Sequence, residues 1–442
     1  MTPVIDWPDL PAAQQPVWPH EPELRRVQST LAVQPPLVFA GESDNLRELL
    51  ASVAEGNAFV LMGGDCAETF EANTADSIRA RLKTLLQMAV VLTYGAGVPV
   101  VKIGRMAGQY FKPRSKPTES RHGIELPSYF GDGVNAIDFA PGARRPDPER
   151  LIAAYNASSA ALNLVRAFTQ GGYADLRQVH AWNQDFVRDS AAGQRYDALA
   201  ANIDRALSFM QACGANPDEF RRVDFYAGHE ALVLDYERPL VRIDSRTGLP
   251  YSVSGHFLWV GERTRDPGGA HVDFAARIHN PIGVKLGPTC SPEQAVEVVE
   301  RLDPDAEPGR LTIITRFGAD KVRDLLPPII EKVQSDGRLP VWVCDPMHGN
   351  TRSVASGHKT RFFDDIEDEV TGFFEVHREL GTHPGGIHIE LTGDDVTECI
   401  GGTTGPEEYE LANRYETACD PRLNREQSLE LAFDVAEMLS ER

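Results

Sequence analysis

PIGVKLGPTCSPEQAVEVVERLDPDAEPGRLTIITRFG, residues Pro281 to Gly318, holds two short apolar, β-branched runs, each ending in a polar or glycine-rich cluster, with a helical pattern between them at Ser291 to Leu302. Near-continuous apolar runs of this kind read as strands buried on both faces. Strand, helix and strand in that order make a parallel βαβ unit. The same kind of run recurs at Asn57 to Cys66, Val98 to Arg105, Val223 to Glu230, His256 to Arg263, Leu339 to His348 and Gly386 to Gly393, and further helical periodicity lies at Ala319 to Gln334 and Asp364 to Leu380. Eight strands alternating with helices predict an α/β fold, a (β/α)8 TIM barrel.

Two stretches depart from the alternation. Residues 1–55 carry only a weak helix at Asn45 to Ala54, too little for an independent domain, and are expected to cap the barrel or meet another subunit. Residues 56–442 form the barrel domain, interrupted after the second strand at about 106–222 by an insertion far longer than an ordinary βα loop. Helical patterns within it, at Pro148 to Thr169 and Tyr196 to Cys213, predict an accessory helical layer.

The 442 residues are 42% hydrophobic and 25% charged, enough for a full core. A net charge of -21 argues against nucleic acid and anionic membrane partners, so any acidic ligand needs a local nest of Arg and Lys. There is no apolar run of about 18 residues, no signal-like N-terminus and no CxxC pair among six cysteines. The expectation is a cytoplasmic protein with reduced thiols.

In such a barrel the catalytic groups stand where strands end. In order, those positions carry Cys66, Arg105, Glu230, Glu262 with Arg263, Lys285, Arg316, His348 and Glu390. The four cations Arg105, Arg263, Lys285 and Arg316 follow residues expected to be buried, so a shared anion is their natural counter-charge. For one of them a salt bridge to a nearby carboxylate is the better explanation; for four in equivalent places it demands four coincidences. They imply a small ligand with at least two negative charges, met by planar guanidinium forks and one compact ammonium.

Lys112, Arg114, Ser115 and Lys116, kept out of helix by Pro113 and Pro117, are suited to a second phosphate, to which Lys359 and Arg361 could add. Cys66, His348, Glu390 and Asp420 are a mixed soft and hard donor set, fit for a borderline divalent ion such as Mn, Co, Fe or Zn. Singly each has an ordinary explanation, as a packed thiol, a loop histidine or a turn aspartate; only their common place at or beyond strand ends points to a metal. His229, His383 and His388 read as supporting residues. Cys419 should lie close to Cys66, near enough to test for a reversible disulfide.

The strings GGDCAETF from Gly63, VVKIGRMAGQYFKPRS from Val100, GERTR from Gly261, PIGVKLGP from Pro281, CDPMHGNT from Cys344, THPGGIHIELTG from Thr382 and RYETACDPRLN from Arg414 resemble those of class II 3-deoxy-D-arabino-heptulosonate 7-phosphate (DAHP) synthases, in order and from about Leu10 onward. The resemblance implies a transferase of the shikimate pathway that condenses phosphoenolpyruvate with erythrose 4-phosphate. It implies metal ligation by Cys66, His348, Glu390 and Asp420, with Mn2+ the first choice and Co2+, Fe2+ or Zn2+ as substitutes. Phosphoenolpyruvate then falls to Arg105, Lys112, Glu262, Arg263, Lys285 and Arg316, with Arg105, Lys285 and Glu262 catalytic, and erythrose 4-phosphate to Arg114 and Ser115. A homo-oligomer, dimer or tetramer, is implied, with a chorismate mutase as candidate partner and aromatic amino acids as candidate effectors. The N-terminus is shorter than in some members. Two alternatives stand beside this: another metal-dependent phosphosugar aldolase or lyase barrel, and a barrel kept as a non-catalytic regulatory subunit.

Overall fold

The eight apolar runs close into a ring. The computed structural model describes residues 7–189, 193, 197–213 and 222–440, and its barrel consists of β1 (Phe59–Gly64), β2 (Val100–Arg105), β3 (Tyr226–Glu230), β4 (Phe257–Val260), β5 (Ile282–Leu286), β6 (Leu311–Thr315), β7 (Val341–Cys344) and β8 (Gly386–Glu390). Each strand runs parallel to its neighbours in sequence, and β8 returns to β1. The register sets Gly64 beside both Arg105 and Glu390, so the ends of β1, β2 and β8 lie level at the rim.

Every residue of β5 and β6 is buried, as strands sandwiched between helices and barrel interior must be. Inside, Val60, Val101, Ile103, Phe257, Ile314 and Val343 pack together with Leu46, Leu50 and Val53 of the helix Ala40–Ala54. That helix closes the end where strands begin and leaves the other end to chemistry. The helix Pro292–Leu302 of the deciding βαβ unit starts with a capping box: Ser291 accepts from Gln294 N–H while the Gln294 side chain returns to Ser291 N–H. Helix Ala75–Ala96 lies so close to helix Arg425–Ser440 that a Cβ on Gly95 would stand 2.5 Å from Ala436, so only glycine fits there.

Between β2 and β3 come a hairpin (Thr118–Arg121 with Ile124–Pro127) and the helices Glu149–Gln170, Leu176–Asp189 and Asp197–Ala212. Another small hairpin, Arg352–Ser353 with Lys359–Thr360, follows β7. Some boundaries differ from the sequence reading. The helix before β1 starts at Ala40, and another, Glu21–Ala32, precedes it on three buried residues at helical spacing, Leu24, Val27 and Leu31. The third strand begins at Tyr226 and the fourth ends at Val260, which leaves Glu262 and Arg263 in the loop beyond it. Among the described residues, no helix is long and apolar enough to cross a membrane.

Candidate active site

At the open end, a cleft of about 330 Å³ is lined by Arg105, Lys112, Arg114, Ser115, Glu262, Arg263, Lys285, Arg316, His348 and Asp420, together with Gln109, Glu230, Arg352, Ser353 and Lys359. Residues spread over more than three hundred positions thus meet because consecutive parallel strands deliver their ends to one rim. Cys66 and Glu390 lie behind the cleft wall, both fully buried. A larger cavity of about 700 Å³, lined by Trp342, His377 and His383, contains none of these groups and lies at the barrel's other end.

Beneath two of the lining cations lies Trp259, buried in the barrel interior. The Arg105 guanidinium and the Lys285 ammonium stand over its ring at 5.4 and 5.9 Å, and His388 meets it edge-on at 5.2 Å. Arg105 is almost completely engaged: it donates to the Asp65 and Cys66 carbonyls, to Glu390 Oε1 at 2.9 Å, and contacts His388 Nε2 at 2.6 Å. Lys285 Nζ is 2.6 Å from Asp345 Oδ2, and His348 Nδ1 is 2.7 Å from the same oxygen. Burial alone would raise the Asp345 carboxyl, but His348 and Lys285 hold it well below the usual range. Burial pulls the Lys285 ammonium down, with Asp345 offsetting part of the loss.

The four soft and hard donors form two pairs. His348 Nε2 is 3.0 Å from Glu390 Oε1, and the Cys66 thiol is 3.9 Å from Asp420 Oδ2. The Lys112 ammonium stands between them, 2.9 Å from Cys66 Sγ, 2.8 Å from Asp420 Oδ2 and 4.0 Å from Glu390 Oε1. Among the described residues, no three such donors gather round one point in this arrangement. Glu390 Oε2 lacks a hydrogen bond of good geometry, although Arg361 approaches it at 2.8 Å. Burial would raise Glu390, yet His348, Lys112, Arg361 and Arg105 keep it well below the usual range, so it is an ionised, buried carboxylate amid cations. Burial and a hydrogen bond with Cys419 push the Cys66 thiol up; both thiols are free.

The outer cations are held more loosely. Arg263 is exposed on the cleft wall rather than sunk at a strand end, because β4 stops before it. Arg316 donates to the His348 carbonyl at 2.6 Å. Arg114 pairs with Glu119 at 3.3 Å, exposed Ser115 follows it, and Lys359 reaches Asp420 Oδ1 at 2.9 Å from the opposite hairpin. Both oxygens of Glu262 are occupied by donors, Gly287 N–H at 2.6 Å, Thr289 at 3.1 Å and Arg265, whereas Glu230 Oε1 is buried without a partner in the described structure. His383, by contrast, lies far from the rim against the Ala58 carbonyl.

Several supporting residues escaped the sequence reading. Asp345 had a signal, its i, i+3 spacing to His348 in DPMH. Trp259 had none, since a strand tryptophan is an ordinary feature; Arg361, expected beside a second phosphate, is instead fully buried against Glu390 at 2.8 Å. Glu68 accepts the successive N–H groups of Ala107, Gly108 and Gln109 at 2.9 to 3.0 Å and so fixes the chain just past Arg105, where Ala107 takes a φ of 60°.

Comparison with known proteins agrees with this arrangement. The family model "Class-II DAHP synthetase family" matches residues 3–436. A Streptomyces coelicolor protein named "Phospho-2-dehydro-3-deoxyheptonate aldolase" is 65% identical over 434 residues, covering 98% of this chain and 96% of its own. "Phospho-2-dehydro-3-deoxyheptonate aldolase AroG" of Mycolicibacterium smegmatis is 58% identical over 435 residues, covering 97% of this chain and 93% of its own. By rim, cleft and near-complete alignment, the chain belongs to the class-II DAHP synthetase family.

Proposed function

We propose that this chain is a 3-deoxy-7-phosphoheptulonate synthase: it joins phosphoenolpyruvate to erythrose 4-phosphate, adds water and releases inorganic phosphate. The observation that carries the reading is the gathering of Arg105, Lys285, Arg316 and Arg263 on one cleft, with Arg105 and Lys285 backed by the Trp259 ring. Phosphoenolpyruvate is a weak nucleophile bearing a carboxylate and a phosphate. Guanidinium forks and an ammonium neutralise both groups and hold them in place. Lys112, Arg114 and Ser115 from one wall, with Lys359 from the other, offer a second anion site for the phosphate of the aldose.

Cys66, His348, Glu390 and Asp420 suit a borderline divalent cation, Mn2+ first, by donor chemistry and by an ionised buried carboxylate. Such an ion, when bound, supplies Lewis acidity toward an aldehyde oxygen. Lys112, which already touches Cys66 and Asp420, then has its ammonium free to turn toward substrate anions. The proton of the water that adds to the enol carbon needs an acceptor in the cleft wall. Glu262 and a Lys285-bound water are candidates; Glu230 joins them because one of its oxygens is unfilled. A homo-oligomer accords with the exposed Val33 and Phe39 near the two N-terminal helices.

The test is phosphate release measured with both substrates, then with each omitted; release without the aldose argues for a different barrel reaction. Arg263→Ala is expected to lower kcat/KM for phosphoenolpyruvate about thirtyfold, the loss of about 2 kcal/mol from one charge-assisted contact, while bound metal per chain stays the same. Unchanged kinetics in that variant would remove Arg263 from the site.

A further inference from the structure

We infer that Glu369, which touches neither the cleft nor any proposed ligand, is a positioning residue that locks the Arg316 arm and the His348 loop into one unit. Glu369 lies on the helix Phe363–Glu379 and is fully buried. Its Oε1 accepts Phe317 N–H at 2.8 Å and Gly318 N–H at 2.9 Å, the two residues that follow Arg316. Its Oε2 accepts Asn350 Nδ2 at 2.8 Å, two residues beyond His348. Asn350 continues the tie, accepting Ala319 N–H at 3.1 Å and donating to the Pro346 carbonyl at 2.9 Å. One carboxylate therefore fixes the backbone on both sides of a seam that Arg316 itself crosses to the His348 carbonyl.

The seam admits no slack. A Cβ on Gly349 would fall 2.3 Å from Gly318 N, and Gly318 holds a φ of +93°. Every partner of the Glu369 oxygens is a donor, so the site asks for a carboxylate with lone pairs on both sides. Glutamine has the same shape but only one accepting end. Placing its oxygen toward Phe317 and Gly318 sets its NH2 against that of Asn350, and the reverse strips the backbone N–H pair.

This inference rests on the proposed assignment of Arg316 to phosphoenolpyruvate and His348 to the metal. Glu369→Gln and Asn350→Ala are compared with wild type, with Arg316→Ala as reference, by steady-state kinetics in each substrate and by Mn2+ titration of metal-free protein. The expected result is a KM for phosphoenolpyruvate raised about tenfold or more in both tie variants, a KM for erythrose 4-phosphate changed less than twofold, and Mn2+ binding weakened about tenfold. A variant that loses kcat alone, or weakens both substrates equally, has only a structural role and overturns the inference. So does an unaltered phosphoenolpyruvate KM in Glu369→Gln and Asn350→Ala when Arg316→Ala raises it. If Arg316→Ala itself leaves that KM unaltered, the assignment of Arg316 fails and the inference with it. Should Glu369→Gln not fold, Asn350→Ala, which leaves the carboxylate in place, decides by the same criteria.

Discussion

Replacing Lys285 with methionine is expected to lower kcat/KM for phosphoenolpyruvate by about a thousandfold or more, the largest effect of any single cation in the cleft. Lys285 is 5% exposed and ties, at 2.6 Å, to the Asp345 carboxylate that also orients His348. Two losses are expected, one in activity and one in stability. The anion loses a desolvated ammonium at its reacting end, about 4 kcal/mol in a site shielded from water. Asp345 also loses a partner, and removing one member of a buried pair costs about 3 to 5 kcal/mol of stability. Thermal unfolding should therefore fall together with activity. Lys285→Arg separates the two, since it keeps the charge but replaces a point donor with a fork that does not match the Asp345 geometry: stability should recover in part and activity little. Near-wild-type turnover in the methionine variant would show that the anion does not sit against Lys285.

The second large effect expected is that of metal removal. Dialysis against a chelator should abolish turnover, and a divalent ion, Mn2+ first, should restore it. The fold should survive, for a reason visible in the site: without an ion the buried carboxylates are already counter-charged, Asp420 by Lys112 and Lys359, and Glu390 by Arg105, Arg361 and His348. Circular dichroism of the stripped protein should match the untreated sample. Adding the ion at a hundred times its dissociation constant should stabilise the chain by about 2.7 kcal/mol, readable as a rise in Tm. Cys66→Ser should weaken binding of a soft-tolerant ion such as Zn2+ more than that of Mn2+, because the thiolate is the soft member of the set. Full activity in metal-free protein would take Cys66 and His348 out of the catalytic group and leave them as packing residues around Lys112.

The cations of the cleft were legible because burial on both faces makes barrel strands uniformly apolar, so a charged residue closing such a run stands out. Lys285 and Arg105 are plain instances. Arg263 was read by the same rule and turned out exposed, since β4 ends at Val260 and the chain is already in a loop by then. Helices were legible where apolar residues recur against a polar background. Leu176–Asp189 went unread although Leu176, Val179, Trp182 and Phe186 recur at helical spacing, because the segment is polar overall and much of its packing is on Ala75–Ala96, distant in sequence.

What the residue order settled by itself was the kind of architecture and the identity of the charged groups at its mouth, because periodicity and burial act over a few residues and leave local marks. The tertiary structure alone decided which of those groups share a counter-ion. Cys66 and Asp420 are 354 positions apart, Arg105 and Glu390 are 285 apart, and nothing local requires the Lys112 ammonium to stand between the donor pairs. Coulombic and hydrogen-bond energies depend on distances of a few ångströms, which are set when the ring closes and not by any neighbour along the chain.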